Sequence, residues 1–181
     1  MNPGVFNVRY NSTFSLDRVY RIYSTDSDLY FVRIGGQFWG VQEGVVAGSH
    51  GAGFIGALIV GFVTTSLSVL WETQAGRKQA ALLQTIDQIH PERLLDRHKH
   101  NFKLTPADFQ HSLIEPPSFA FHGPHAGRWK SVLRNGRKLN LEFLENEDVH
   151  VALSLLPHII GSALTVNVQW NWRKRRFTKG S

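Results

Sequence analysis

Residues 128–161 read "RWKSVLRNGRKLNLEFLENEDVHVALSLLPHIIG". Two periods meet in this stretch. Leu139, Leu141 and Phe143 alternate with Asn140 and Glu142, which sets one face of a strand against a core. Asn135-Gly136 separates that run from "RWKSVL" and supplies the positive φ values of a type I′ turn. Residues 128–144 are therefore expected as a β-hairpin. From Glu145 the pattern becomes helical. Glu147 and Asp148 favour a helix N-terminus, Gly161 favours a stop, and Pro157 marks a place to kink or end early. The expected helix covers 146–160.

Outward from this unit the chain is again rich in strands. Leu164, Val166, Val168, Trp170 and Trp172 alternate with Thr165, Asn167, Gln169 and Asn171, which predicts a strand running into a basic tail over 173–181. Upstream, "NFKL" and "FQHSLIE" are short strand candidates around Thr105-Pro106, and Pro116-Pro117 breaks the chain after them. Near the start, "VYRIYSTDSDLYFVRI" (19–34) reads as a second hairpin. Its two Val-, Ile-, Tyr- and Phe-rich runs flank the turn formers Ser24, Thr25, Asp26, Ser27 and Asp28.

Between these strand regions lies an insert over 37–98. Its first part, 44–71, contains no Asp, Glu, Lys or Arg. Its second part, 74–97, carries Leu82, Ile86 and Ile89 at helical spacing, with Pro91 ending one helix and opening a short second one. Taken whole, the chain is one α+β domain. The β-module spans 5–36 and 99–172, and the insert is helical, apolar then amphipathic.

Bulk composition narrows the function classes. At 42% hydrophobic and 12% aromatic, the 181 residues can bury a core. With no cysteine, a disulfide framework, a thiolate zinc site and a cysteine nucleophile are excluded. The net charge of +6 is concentrated: "WNWRKRRFTKGS" (170–181) carries +5 and no acid, and residues 1–169 carry +1. The opening "MNPGVFNVRYNSTF" has no apolar run behind a charged start, so no signal peptide is expected.

The apolar stretch 44–71 matches two catalytic patterns by letter. Gly51-Ala52-Gly53-Phe54-Ile55-Gly56 fits G-x-G-x-x-G, but no βαβ alternation and no later acid-bearing strand accompany it. Ala47-Gly48-Ser49-His50-Gly51 is a variant of the nucleophile elbow, which needs a parallel sheet beneath it. A membrane reading fits better. Twenty-eight uncharged residues exceed the roughly 20 needed to span hydrocarbon. Phe54, Ile55, Leu58, Ile59, Phe62, Leu67, Leu70 and Trp71 are the candidate lipid contacts. Ala52 with Gly56, and Ala57 with Gly61, have the small-xxx-small spacing of close helix contact and self-association. Strands on both sides need each other, which opposes a single crossing. Two arms of about 13 residues, each about 20 Å long and turning near Gly61, would enter one leaflet instead. The competing reading is a soluble α+β domain with buried apolar helices, possible as a homo-oligomer.

At the C-terminus, Trp170, Trp172, Arg173, Lys174, Arg175, Arg176 and Lys179 are candidates for contact with an anionic surface. Phosphates with Trp stacking would use the same residues, but nothing else in the chain favours nucleic acid. Among nine histidines, His98 with His100 and His122 with His125 have ligand-like spacing, without a recognised metal pattern. No metal, cofactor or catalytic residue is assigned. An enzyme using Ser49 or the histidines is the remaining, weaker reading.

The succession "YRIYSTDSDLYFVRIGG", "NFKLTPADFQHSLIE", "GRWKSVLRNGRKLNLEF" and helix 146–160 resembles the pleckstrin-homology-like (PH-like) modules of bacteria. The resemblance covers about half the chain. It implies short antiparallel strands in a bent sheet or partial barrel with a late helix, and some members are membrane-attached. The insert 37–98 and the strand after the late helix depart from that pattern. The expectation is a non-catalytic, membrane-associated binding or scaffolding protein, on the cytoplasmic face.

Overall fold

The computed structural model describes residues 4–12, 15–25, 27–36, 81, 83–117 and 126–180. The chain divides into two compact units, Met1–Ile34 with Pro91–Ser181, and Gly35–His90. All of the candidate lipid-contact and helix-packing residues between Ala52 and Trp71 lie outside the described residues, as do Ser49, His122 and His125. In the unit Gly35–His90, residues 83–87 are helical, and Thr85 Oγ1 donates to the Ala81 carbonyl at 2.9 Å. Among the described residues, no helix is long and apolar enough to cross a membrane.

The other unit is a curled mixed sheet with few helices. Three strands open it: β1 (Gly4–Ser12), β2 (Ser15–Ser24) and β3 (Leu29–Gly36). A short helix, α1 (Pro91–Leu95), precedes β4 (Phe102–Leu104), β5 (Phe109–Glu115), β6 (Gly127–Leu133) and β7 (Lys138–Phe143). The late helix α2 (Asn146–Ile160) leads to β8 (Leu164–Val166), β9 (Val168–Asn171) and β10 (Arg176–Lys179). Among the described residues the main sheet runs β4-β3-β2-β1-β7-β6-β5-β8, and β9 and β10 form a separate ribbon.

Curling is evident from where the aromatic side chains meet. Phe31 on β3 and Trp129 on β6 are four strands apart, about 19 Å in a flat sheet at ordinary strand spacing. Their ring centroids lie 6.1 Å apart. The sheet therefore folds its inner face onto itself. Trp129 also meets Phe6 of β1 at 6.3 Å and Phe109 of β5 at 6.2 Å. Period-two alternation supplies that face: Gly127, Trp129, Ser131 and Leu133 are buried along β6, and Leu139, Leu141 and Phe143 along β7. The two inward serines satisfy each other, with Ser112 and Ser131 Oγ 2.7 Å apart at a cross-strand pair. Strand β3 buries both faces: Leu29 and Phe31 join the core, and Tyr30, Val32 and Ile34 are buried on the reverse. There the Tyr30 hydroxyl donates to Glu92 of α1 at 3.3 Å. Burial, with Glu92 and Asp28 nearby, pushes that phenol up to about 12.

The hairpins expected at 19–34 and 128–144 both form. In the first, Thr25 N–H donates to the Asp28 carbonyl at 3.0 Å, and Thr25 Oγ1 accepts from Asp28 N–H at 3.2 Å. The second has a different turn from the type I′ expected. Gly136 takes a positive φ of 81°, but Asn135 does not. Gly136 N–H bonds to the Leu133 carbonyl and Leu133 N–H to the Arg137 carbonyl, which makes a three-residue loop with a left-handed glycine last. Asn135 spends its side chain instead as acceptor for Arg137 N–H at 3.0 Å.

Three further expectations are corrected. The sheet is mixed rather than antiparallel, because β8 lies parallel to β5, pairing Ser112 with Leu164 and Ile114 with Val166. The strand expected over 164–172 is broken at Asn167, whose N–H bonds to the Ile114 carbonyl at 2.9 Å and leaves the next residues to a second ribbon. Residues 173–181 are not a plain tail, since Arg176–Lys179 form β10.

Helix α2 starts and stops as its sequence indicates, and Pro157 remains within it. Val149, Ala152, Leu156, Ile159 and Ile160 form its buried stripe. Asp148 fixes its first turn to the sheet. Its Oδ1 accepts from Asn7 N–H at 2.7 Å and from Asn7 Nδ2 at 3.2 Å, and its Oδ2 accepts from Glu145 N–H at 3.1 Å. Burial raises the Asp148 carboxyl above its ordinary range, outweighing the Asn7 and Glu145 N–H donors that lower it.

This packing has measurable consequences. Trp129→Ala is expected to lower the unfolding free energy by about 3–5 kcal/mol in urea titration, as a vacated aromatic core site does. Asp148 adds a dependence on pH. A raised carboxyl holds its proton more tightly in the folded state, so its contribution is full below the ordinary aspartate range and is lost as pH rises through the folded value. Asp148→Ala is expected to cost about 1–3 kcal/mol, because Asn7 N–H, Asn7 Nδ2 and Glu145 N–H lose their acceptor. The gap between wild type and variant should shrink as pH is raised toward neutrality, measured by urea unfolding across that range.

Candidate functional site

The exposed cations of the C-terminus are presented by a folded ribbon. Strands β9 and β10 pair antiparallel from Arg176↔Asn171 to Lys179↔Val168. The turn between them is Trp172–Arg175. Asn171 Oδ1 accepts from Lys174 N–H at 3.0 Å, and Arg175 takes a left-handed φ of 47° to close the reversal. At the other end Gly180 N–H bonds to the Asn167 carbonyl at 3.2 Å.

An aromatic cluster seats the ribbon. Phe177, opposite Trp170 in the register, is 2% exposed and belongs to the core. The two rings meet edge-on at 5.0 Å. His150 of α2 packs against both, 4.9 Å from Trp170 and 4.8 Å from Phe177. Trp170 is thus half-buried, an anchor of the ribbon, and it supports Trp172 at 6.0 Å in a T-shaped contact.

Trp172 itself is 84% exposed, and Arg173, Lys174, Arg175 and Arg176 beside it are exposed too. No carboxylate side chain occurs between Trp170 and Ser181. A large apolar ring and four cations therefore share one reversal of chain whose base is held in the core. An isolated two-stranded ribbon is marginal in water, so Phe177, Trp170 and His150 are what hold this turn in shape. Lys179 stands apart from the turn. It lines a groove of about 380 Å³ with Glu115, Pro116, Pro117, Arg128 and Lys130. In that groove Lys130 is ion-paired with Glu115, and Arg128 approaches Glu142 at 3.5 Å.

The seven anionic-surface candidates thus separate into an anchor (Trp170), an exposed turn (Trp172 to Arg176) and a groove residue (Lys179). Sequence reading misses Phe177 and His150, which position the turn. The signal for Phe177 is faint: one apolar residue between Arg176 and Thr178. Asn171 before the basic run is the better clue, because its side chain caps tight turns.

Of the histidine pairs, His98 and His100 are described, with ring centroids 5.2 Å apart. Among the described residues, no three His, Asp or Glu side chains are grouped as a metal site would require. Asp108 and Asp28 have structural partners. Asp108 Oδ2 accepts from Thr105 N–H at 2.7 Å and Thr105 Oγ1 at 2.8 Å, which holds it below the ordinary range. Asp28 pairs with Lys103 at 3.4 Å. Comparison with family models, with curated proteins and with solved structures finds no match.

Phe177→Ala is expected to destabilise the fold by about 3–5 kcal/mol, whereas Trp172→Ala should stay within about 0.5 kcal/mol. Urea unfolding followed by far-UV circular dichroism distinguishes the two. A plain solvated tail would leave both variants at wild-type stability.

Proposed function

We propose that this chain is a non-catalytic, membrane-associated binding module that docks on an anionic lipid surface through the β9–β10 turn. One observation carries the reading: Trp172 stands 84% exposed among four exposed cations, on a ribbon anchored by Phe177. An amphipathic ring suits the headgroup level, and cations beside it are drawn to an anionic leaflet. Acids are absent from the turn, so nothing within it offsets that attraction.

On this reading the curled sheet with its late helix serves as a PH-like module at the cytoplasmic face. The uncharged residues 44–71 supply a second lipid contact, through Phe54, Ile55, Leu58, Ile59, Phe62, Leu67, Leu70 and Trp71. Ala52, Gly56, Ala57 and Gly61 would pack against the same segment of a second copy. The combination favours a scaffolding or tethering role, with no cofactor.

Vesicle flotation of the full chain tests the turn. Binding is expected to rise when phosphatidylglycerol is added to phosphatidylcholine. Replacing Arg173, Lys174, Arg175 and Arg176 with Gln should lower that anionic increment at least about tenfold, given roughly 1 kcal/mol per cation near such a surface. Trp172→Ala should weaken binding to both compositions. Binding indifferent to phosphatidylglycerol and to all these variants would overturn the proposal. Tighter binding of single-stranded nucleic acid than of vesicles, lost in the same variants, would replace it with a nucleic-acid reading.

A further inference from the structure

Between helix α2 and the basic turn the chain leaves a sheet edge open. Among the described residues, β8 closes one side of the main sheet with β5 as its neighbour, and β9 pairs with β10 alone. Residues 164–171 read "LTVNVQWN", with no charged residue and no proline. Edge strands are ordinarily guarded by such residues, because unpaired main-chain groups invite another strand. The opposite edge strand, β4, carries Lys103, which pairs with Asp28 at 3.4 Å. The 164–171 edge has no such guard, and its Val166 is 44% exposed.

The hydrogen-bond pattern says which main-chain groups face outward. Val166 stands opposite Ile114 in the parallel register, and Asn167 N–H bonds to the Ile114 carbonyl at 2.9 Å. In a parallel ladder the residues flanking a position bond to the one opposite it, so Val166 points its own N–H and C=O away from β5. Gly180 N–H bonds to the Asn167 carbonyl at 3.2 Å, one step beyond the Lys179↔Val168 pair. Opposed residues of an antiparallel pair alternate between exchanging hydrogen bonds and exchanging none. Asn167, Gln169 and Asn171 therefore bond toward β10, and Val168 and Trp170 turn their N–H and C=O away from it. Leu164 N–H is already spent on the Gly161 carbonyl. The outward N–H donors of the edge are those of Val166, Val168 and Trp170.

Charge indicates what fits there. Residues 164–181 hold Arg173, Lys174, Arg175, Arg176 and Lys179 and no carboxylate side chain. On β9, Gln169 and Asn171 share a face with Arg176, which stands opposite Asn171, while Val168 and Trp170 share the other. A strand laid along this edge meets one apolar and one cationic face. A second copy of the same edge would bring no carboxylate to those cations. We propose that residues 164–171 bind an extended acidic peptide as an added strand, its apolar side chains beside Val168 and Trp170 and its carboxylates on the face of Arg176. Main-chain bonds to Val166, Val168 and Trp170 hold the peptide, and the cations select its charge.

The test uses the full chain and a blocked peptide of about eight residues, alternating Glu and Val, long enough to cover 164–171 at one residue per position. Amide hydrogen exchange is followed by NMR. Binding should slow exchange at Val166, Val168 and Trp170 and leave Asn167 and Gln169, whose N–H groups are already bonded, unchanged. The matching Lys and Val peptide should bind at least about tenfold more weakly, because its charge is repelled by the turn. Val168→Pro removes an outward donor without taking a bond from β10, as proline does on an edge strand. It should weaken the Glu peptide at least about tenfold and leave vesicle binding as in wild type. Trp172→Ala should weaken vesicle binding and leave the exchange protection in place, so this edge and the lipid-docking turn fail on different variants.

Should Val168→Pro lose its native circular dichroism, N-methylated peptides take its place with the wild-type chain. A one-residue slip would exchange the apolar and acidic faces, so the alternation fixes the register. Methylation of the Val amides or of the Glu amides, but not of both sets, should then weaken binding; the Val set marks an antiparallel strand and the Glu set a parallel one. Equal effects of the two sets, equal affinity for the Lys and Glu peptides, or no exchange protection at all would overturn the proposal. Protection of Val166 and Val168 that grows with protein concentration in the absence of peptide would overturn it too, by assigning the edge to a second copy of the chain.

Discussion

Everything in the main unit depends on Trp129. A sheet of short strands with one apolar face must cover that face, and the described residues of this unit offer few helices with which to cover it. It curls instead, until Phe31 from β3 and Phe109 from β5 reach the same indole from opposite directions. The cost is visible: among the described residues Trp129 Nε1 is buried with no hydrogen-bond partner, a penalty on the order of 1–3 kcal/mol. Phe6, Phe31, Phe109 and the indole bury enough apolar area to offset it.

Curling has a consequence for the C-terminus. Helix α2 is tied to β1 by Asp148 and Asn7, and its buried stripe joins the same core. The chain then has one parallel strand, β8, in which to leave the helix and reach the sheet edge at β5. Residues 168–179, beyond that edge strand, are short of partners in the main sheet, so they pair with themselves as β9 and β10. That ribbon is stable because Phe177 enters the core and His150 packs on Trp170 and Phe177. The turn at its far end then carries what the core cannot accept: Trp172 and four cations.

How much of this is legible in the sequence depends on range. The hairpin at 128–144 and helix 146–160 are readable because alternation, a left-handed glycine and acidic first-turn residues act over a few positions. The same holds for the hairpin at 19–34. The turn at Asn135-Gly136 departs from its expected type because a type I′ turn needs both residues left-handed, and Asn135 gains more by capping Arg137 N–H. The parallel β5–β8 pair is unreadable, since it joins Ser112 to Leu164 through a hairpin and a helix and leaves no local trace. The ribbon is hidden for a different reason. Five of the seven residues from Arg173 to Lys179 are basic, so the alternation that marks β10 is reduced to a single buried position, Phe177. The sequence shows the charge of this segment but not the scaffold that presents it.

The account rests on Trp172 being held out of the fold by a ribbon whose other aromatics are held in. Incorporation of fluorotryptophan, with signals assigned by Trp172→Phe and Trp129→Phe, reports on both environments at once by 19F NMR. On addition of vesicles containing phosphatidylglycerol, the Trp172 resonance should shift and broaden while the Trp129 resonance keeps its position. A Trp172 signal indifferent to anionic vesicles that do bind the chain, or a Trp129 signal that moves with it, would contradict the account.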